Sequence, residues 1–148
     1  MQLTSSVFQN NGPIPQKYSC EGEGIHPPLS FEDVAENTKS LVLIVDDPDA
    51  PMGTFVHWVL FNISPTTTEI PEGKVPEGAV QGKNTSGRGD YVAPCPPSGT
   101  HRYRFFLWAL SEKLRINSGA TREEVEREAE KFIIERAVLL GTYEKSSS

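Results

Sequence analysis

The sequence predicts a mainly β domain with one helix near its C-terminal end. Segments 54–63 and 101–110 are rich in β-branched and aromatic residues, as is typical of strands, and a short apolar run precedes the first of them. Twelve Gly and twelve Pro residues indicate many turns, which argues against a helical bundle. Only one stretch, beginning near residue 122, has the spacing of an amphipathic helix.

The length and charge of the chain limit the classes of function. At 148 residues the chain has the size of one domain, so we expect residues 1–148 to form a single unit. A net charge of −6 and a pI near 5.1 argue against nucleic acid as a partner. The first residues lack the basic and apolar regions of a signal peptide, and no apolar run approaches the ~20 residues of a membrane span. We therefore expect a cytoplasmic protein without a transmembrane segment.

The N-terminal part predicts three short extended elements. Gln2 to Phe8 is expected to form a first strand, and a turn cluster of Asn, Gly and Pro follows it. Lys17 to Cys20 is expected to be extended. Leu29 to Phe31 follows two prolines and is expected to be an edge strand.

The central part reads as strand, loop, strand. Leu41 to Val45 is an apolar run typical of a strand buried on both faces. The loop that follows carries three carboxylates and two prolines, which cannot continue a ladder. The second strand is expected from Thr54 to Ile63. Strict alternation places His57 on one face and Trp58 on the other.

The next segments combine loops with a third long strand. Pro65 to Ala79 is expected to be a surface excursion, and Gln81 to Asp90 is the most flexible-looking part because it is rich in Gly. Three prolines then surround Cys95 and predict a stiff rim. His101 to Leu110 is expected to be a strand with His101 on one face and Trp108 on the other.

The C-terminal part contains the predicted helix. Thr121 and Glu124 have the spacing of a capping box, and apolar residues with helical spacing follow from about Arg122 to about Arg136. Thr142-Tyr143 is expected to end a last strand.

Four polar residues suggest a binding site if the two histidine strands are neighbours. Asp47, His57, His101 and Tyr103 would then meet at one end of the sheet, where Asp47 would orient an imidazole ring. Two imidazoles and a phenol suit a small anion. The alternative is that each histidine is a solitary residue at a strand end, hydrogen-bonded to the backbone.

Other charged and sulfur-bearing residues suggest structural roles. Asp49 and Arg102 are expected to form a buried ion pair, with two solvated charges as the alternative, whereas Asp46 is most simply a carboxylate that caps the loop. Trp58 and Trp108 are expected to pack in the core. The two cysteines, Cys20 and Cys95, are expected to be free thiols in a cytoplasmic chain, with a disulfide as the alternative in an oxidising or hyperthermophilic setting.

Asp47, His57, His101 and Tyr103 lie in two segments: DPDAP at 47–51 with HW at 57–58, and PCPPSGTHRY at 94–103. These segments resemble the signature regions of the phosphatidylethanolamine-binding protein (PEBP) family, in particular its bacterial and archaeal, Raf-kinase-inhibitor-like branch. The resemblance implies a β-sandwich with a large central sheet, a smaller flanking sheet and a C-terminal helix. It implies a pocket for phosphate, phosphoethanolamine-like head groups or carboxylates whose residues are Asp47, His57, His101 and Tyr103, with Pro96 and Pro97 at the rim. It also implies that Asp49 and Arg102 are a structural pair.

The chain departs from the family pattern at Val92-Ala93, where many relatives have a glycine; the departure is expected to narrow the pocket mouth. We expect a non-enzymatic anion-binding protein without catalytic residues, metal or cofactor, acting as an inhibitor or regulator of a protease or kinase. One alternative is a serine-protease inhibitor that acts through a loop, Gly82 to Asp90 or Pro65 to Ala79. Another is a metal-dependent enzyme using His57, His101 and Asp47. A Cys95–His101 nucleophile pair and a homodimer are further open alternatives.

Overall fold

The computed structural model describes residues 1–146, which contain nine strands and one α-helix. The elements in chain order are β1 (Gln2–Thr4), β2 (Gly12–Pro13), a 3₁₀ turn (Gln16–Tyr18), β3 (Leu29–Glu32), β4 (Ser40–Asp47), β5 (Phe55–Ile63), β6 (Glu69–Ile70), β7 (Val80–Gln81), β8 (Thr100–Leu110), α1 (Arg122–Ala129) and β9 (Ile133–Glu144). Six strands form a large sheet in the order β2-β9-β8-β4-β5-β7, and three form a small sheet in the order β1-β3-β6. The predicted fold class, mainly β with two sheets and one helix, is confirmed.

The large sheet is covered on both faces. On one face it packs against the small sheet through a cluster that includes Leu3 and Phe31 on one side and Leu43 and Phe105 on the other. On the opposite face, α1 contributes Val125 and Ala129 to a second cluster. All eight residues of β4, the strand at the centre of this arrangement, are buried, as the apolar run 41–45 predicts.

The pairing of β5 with β4 contains two register shifts, and the one at His57 breaks the predicted alternation. Val45 pairs with Trp58 and Asp46 pairs with Val56, so His57 is an extra residue in this strand. Because of this bulge, Trp58 packs in the same cluster as Tyr103, whose ring lies 5.4 Å from that of His57. The prediction that Trp58 faces away from His57 is therefore wrong, although Trp58 is a core residue as expected. Trp108 lies in the other cluster, on the face predicted for it.

The N-terminal predictions are corrected in three places. β1 ends at Thr4, earlier than predicted. Residues 16–18 form a 3₁₀ turn instead of an extended segment, because Tyr18 N and Ser19 N donate hydrogen bonds to Pro15 O and Gln16 O. β3 is the central strand of the small sheet and not an edge strand, since it pairs with both β1 and β6.

The predicted helix is too long by about two turns. The Thr121 hydroxyl accepts a hydrogen bond from Glu124 N at 3.2 Å, so the capping box is present. α1 ends at Ala129, however, and Ile133–Glu144 pairs with β8 along almost its whole length. The ladder between β8 and β9 overrides the helical periodicity of residues 133–136, because that periodicity is only a weak local preference.

Segment 81–90 is held by more hydrogen bonds than its glycine content suggests. The buried Asn84 accepts hydrogen bonds from Ser86 N at 3.0 Å and Arg88 N at 3.1 Å, and its amide donates to Asp90 O at 2.6 Å. Thr85 N also donates to Val56 O in β5. The expectation of a flexible segment is not supported, since one buried side chain links both arms of the loop.

Within residues 1–146, the helical segments are all too short or too polar to cross a membrane.

Candidate functional site

A cavity of about 190 Å³ lies where β4, β5 and β8 end against the proline-rich segment 92–97. The structure brings all six residues proposed for ligand binding to this cavity. The lining residues are Asp47, Ala50, Pro51, Phe55, His57, Val92, Ala93, Cys95, Pro96, Pro97, His101 and Tyr103. The predicted adjacency of the two histidine strands is correct because β4 pairs with β5 on one side and with β8 on the other.

Asp47 holds the ring of His101. Its Oδ2 lies 2.6 Å from Nδ1 of His101, and both side chains are less than a tenth exposed. The other carboxylate oxygen accepts a hydrogen bond from Asp49 N at 2.8 Å. Because an ionised carboxylate can only accept, the proton of this contact belongs to Nδ1. Nε2 is therefore the ring nitrogen left for a ligand.

His57 is held in the same way by the backbone. Its Nδ1 lies 2.6 Å from the carbonyl oxygen of Val92, which can only accept, so Nδ1 carries the proton and Nε2 is left for a ligand. Burial is the largest influence on this ring and lowers the pKa of His57. The alternative of a histidine hydrogen-bonded to the backbone is thus true of His57, yet the ring still lines the cavity.

Tyr103 supplies a phenol to the cavity. Burial is the main reason that the pKa of Tyr103 is raised, and the nearby Asp47 carboxylate adds to the effect. The hydroxyl therefore keeps its proton at neutral pH and can donate a hydrogen bond to a ligand. Its ring also packs edge-on against His57.

The rim is closed by a disulfide. Cys20 and Cys95 are bonded, with an S–S distance of 2.05 Å and a Cα–Cα distance of 5.4 Å. The expectation of free thiols is wrong in this structure, because the loop 19–24 lies beside the proline-rich segment, with Cys20 N donating to Pro94 O at 3.0 Å. The proposed Cys95–His101 nucleophile pair is not formed, since an oxidised cysteine has no thiolate.

Asp49 and Arg102 form the predicted pair, but it is not buried. The carboxylate accepts hydrogen bonds from the Arg102 guanidinium at 2.8 and 2.9 Å and from Arg102 N at 2.9 Å. Arg102 projects from the end of β8, and its side chain is 56% exposed. The guanidinium lowers the pKa of Asp49 to about 2. The pair links the loop after β4 to the strand that carries His101.

Asp46 has a larger role than capping a loop. It is fully buried, and it accepts hydrogen bonds from Arg104 at 2.7 and 2.8 Å and from Arg122 of α1 at 2.5 Å. The signal in the sequence was its position at the end of a run buried on both faces, where a charged group requires a partner. The alternation of β8 puts Arg104 on the face away from His101.

Sequence reasoning missed two further features near the site. The carbonyl of Val92, which orients His57, has no signal in the residue type. His26 is buried and stacks on Trp58 at 4.6 Å, with its two ring nitrogens at 2.9 Å from Pro27 O and 2.6 Å from Lys74 O. Its pair of backbone carbonyls indicates a structural role outside the cavity.

The donor geometry gives no support to the metal-enzyme alternative. Across residues 1–146, no three His, Cys, Asp or Glu side chains are grouped so that they could hold a metal ion. Nδ1 of His101 and the Asp47 carboxylate bind each other, and Nδ1 of His57 binds a carbonyl.

The sequence match agrees with this geometry. The family model for the phosphatidylethanolamine-binding protein matches residues 4–144, which is nearly the whole chain. The chain belongs to the PEBP family. The resemblance drawn from the two signature segments is thus confirmed, and both segments lie at the cavity.

Relatives and solved structures of the PEBP family extend the match. A UPF0098 protein of Chlamydia trachomatis is 49% identical over 150 residues, covering 98% of this chain and 99% of the relative. A UPF0098 protein of Pyrococcus horikoshii is 51% identical and covers 95% of this chain and 75% of the relative. The crystal structure of a putative PEBP homologue from Chlamydia trachomatis matches with a TM-score of 0.95 at 48% identity, over 98% of this chain and 97% of that chain. E. coli YbcL, described as a new member of the mammalian PEBP family, matches with a TM-score of 0.90 at 32% identity, over 98% of both chains.

Proposed function

We propose that this PEBP-family protein is a non-enzymatic binder of small anions, such as phosphate, a phosphoethanolamine-like head group or a carboxylate. The observation that carries the proposal is the Asp47–His101 pair, which shares one cavity with His57 and Tyr103. A bare carboxylate would repel an anion, but here the charge of Asp47 is directed at an imidazole ring. A protonated His101 makes that pair neutral overall and presents a donor at Nε2.

The remaining groups support an anion over a cation. Tyr103 keeps its phenolic proton, and a protonated His57 adds a second charged donor. Burial disfavours the imidazolium form of His57 in the unliganded protein. A bound anion would stabilise that form, so His57 would take up a proton when the anion binds. Anion binding should therefore be tighter at low pH.

The size and rim of the cavity favour a small ligand or a head group. Its volume of about 190 Å³ is below the roughly 300–1,000 Å³ typical of pockets that enclose a drug-sized molecule. Apolar atoms of Pro51, Phe55, Pro96 and Pro97 surround the polar base.

We propose that the bound anion regulates an interaction with a protein partner, a protease or a kinase, in the cytoplasm.

The test is calorimetric titration of inorganic phosphate and phosphoethanolamine into chelator-treated protein. We expect saturable binding near 1:1 in the wild type, and a dissociation constant raised at least about tenfold in His101→Ala, equivalent to about 1.4 kcal/mol. The matched control is Arg136→Gln, which removes a positive charge from an exposed side chain of β9, roughly 20 Å along the strand from the site. Equal binding by His101→Ala, or no binding by the wild type, would contradict the proposal. Binding that needs added zinc or iron would favour the metal-enzyme alternative.

A second candidate is protease inhibition through loop 82–90. The Asn84 hydrogen bonds fix this loop while Ser86, Gly87 and Arg88 at its tip are exposed. A fixed loop loses little conformational entropy when it binds a protease cleft. Because Arg88 is basic, trypsin is the protease to assay first. Inhibition that is lost in Arg88→Ala and kept in His57→Ala would favour this candidate, and no inhibition by the wild type would reject it.

A further inference from the structure

The disulfide joins the wall of the cavity to a firmly held loop. Cys95 lines the cavity together with Pro96 and Pro97, whereas Cys20 lies 75 residues away in the sequence. Both cysteine residues are exposed, so a reductant in solution can approach them. The disulfide is therefore accessible and is also part of the proposed binding site.

The loop that carries Cys20 is anchored next to His101. The hydroxyl of Ser19 is buried and hydrogen-bonds to the phenol of Tyr143 at 2.9 Å and to Gln16 O at 2.8 Å. Tyr143 belongs to β9 and pairs directly with His101 of β8. The Tyr143 phenol also donates to the carboxylate of Glu21. The anchor for the disulfide is thus the same pair of strands that positions the site histidine.

The segment that carries Cys95 has few other attachments. Residues 93–99 belong to no helix or strand, and Pro94, Pro96 and Pro97 have no N–H to donate. Apart from the disulfide, the hydrogen bonds found within residues 1–146 link this segment to its neighbouring loop once, from Cys20 N to Pro94 O. The carbonyl that orients His57 lies three positions before Cys95, on Val92. Movement of the backbone at Cys95 would therefore displace both the prolines of the rim and the Val92 carbonyl that orients the His57 ring.

We propose that the Cys20–Cys95 disulfide is a redox switch for the anion pocket, with the oxidised protein as the binding form. This inference rests on the proposed function. Reduction lets the rim segment move away from the anchored loop, which lowers the fraction of molecules whose cavity is complete. The apparent dissociation constant rises in inverse proportion to that fraction.

The reaction is thiol–disulfide exchange with a dithiol. One thiolate of the dithiol attacks Sγ of Cys20 or Cys95, forms a mixed disulfide and releases the other cysteine as a thiolate. The second thiol of the reductant then displaces the remaining cysteine. The protein disulfide gains two electrons and two protons to become two thiols, and the dithiol becomes a disulfide.

The test compares phosphate binding by the oxidised protein with binding after dithiothreitol treatment under native conditions. Dithiothreitol is uncharged and does not compete for an anion site. Alkylation and mass measurement should then count two thiols per chain, since the sequence has only two cysteines. We expect the dissociation constant for phosphate to rise roughly tenfold, corresponding to a competent fraction of about one tenth, and to recover on reoxidation. The Cys20→Ser/Cys95→Ser variant should bind as weakly as the reduced protein in both conditions.

Four other outcomes would contradict the redox switch or the proposed function, and they can be distinguished from one another. If the oxidised protein binds phosphate and neither reduction nor the double serine variant weakens binding, the switch is wrong and the proposed function stands. If dithiothreitol releases no thiols from the folded protein, the switch is also wrong. If circular dichroism shows that reduction unfolds the chain, the disulfide is a structural bond and not a switch. If the oxidised protein binds no phosphate, the proposed function itself fails.

Discussion

Asp46 and Asp47 are neighbours in β4, yet their carboxylates serve opposite faces of the large sheet. Asp46 binds Arg104 and Arg122 beneath α1, whereas Asp47 binds His101 in the cavity. Adjacent residues of a strand point to opposite faces, so one dipeptide at the end of a buried strand fixes both the helix and the candidate site. Replacing Asp46 should therefore affect mainly the stability of the fold, whereas replacing Asp47 should affect mainly anion binding.

Replacing Asp46 should destabilise the fold. Asp46→Asn leaves Arg104 without its anionic partner and leaves the largely buried Arg122 with Glu126 as its remaining one, so we expect a loss of about 3 kcal/mol in the free energy of unfolding. Urea denaturation measures the change. The control is Asp49→Asn, whose partner Arg102 is exposed and which should cost only about 0.2–1 kcal/mol. Equal losses in both variants would contradict the buried role of Asp46.

Replacing Asp47 should weaken anion binding more than it weakens the fold. Asp47→Asn removes the carboxylate that holds Nδ1 of the His101 ring, so we expect the dissociation constant for phosphate to rise about tenfold, or about 1.4 kcal/mol. Calorimetric titration measures this change. Asp90→Asn makes the same chemical change on an exposed residue outside the cavity and should bind as the wild type does. Unchanged affinity in Asp47→Asn would show that the carboxylate does not orient a binding group.

The Asp49–Arg102 pair should make stability depend on pH in the acid range. The pKa of Asp49 is lowered to about 2 in the folded protein, so its contribution is present above the unfolded value of about 3.9 and is lost as the pH falls toward 2. The difference in free energy of unfolding between wild type and Asp49→Asn should therefore shrink between pH 5 and pH 2. A difference that is constant over this range would rule out the charge as its cause.

Burial of His57 should make the unliganded protein less stable in mild acid. Its pKa in the folded state lies below the unfolded value of about 6.5, so the unfolded chain binds the proton more readily. The stability that a neutral His57 provides is present above pH 6.5 and is lost as the pH falls through the folded pKa. His57→Gln should remove this part of the pH dependence in urea denaturation between pH 8 and pH 5. A profile unchanged by the substitution would show that another group is responsible.

The sequence predicted the residues of the candidate site better than it predicted the strand that carries His57. The alternation of β8 was read correctly because it pairs in register from Thr100 to Ala109, and its signature segment placed His101, Tyr103 and both rim prolines. β5 was misread because a bulge at His57 shifts the phase of later residues, and no residue type marks such a bulge.

Other features depend on partners that are far away in the sequence. Asp46 was read as a loop cap because Arg122 lies 76 residues further on. Residues 133–136 have a helical spacing, but their pairing with β8 is a non-local interaction that local periodicity does not report. The sequence favours free thiols at Cys20 and Cys95 because disulfides are rare in cytoplasmic proteins. It does not report that the two cysteines lie close enough to bond, as they do in the structure.

The pH dependence of anion affinity reports directly on the two imidazole rings of the cavity. Sulfate is the probe of choice beside phosphate, because it keeps its charge over this pH range and any change then belongs to the protein. If a bound anion stabilises the protonated form of His57 or His101, sulfate should bind roughly tenfold or more tightly at pH 5 than at pH 8, with proton uptake visible as a dependence of the binding enthalpy on the buffer. Equal affinity at the two pH values, without proton uptake, would contradict an anion site built on these two imidazoles.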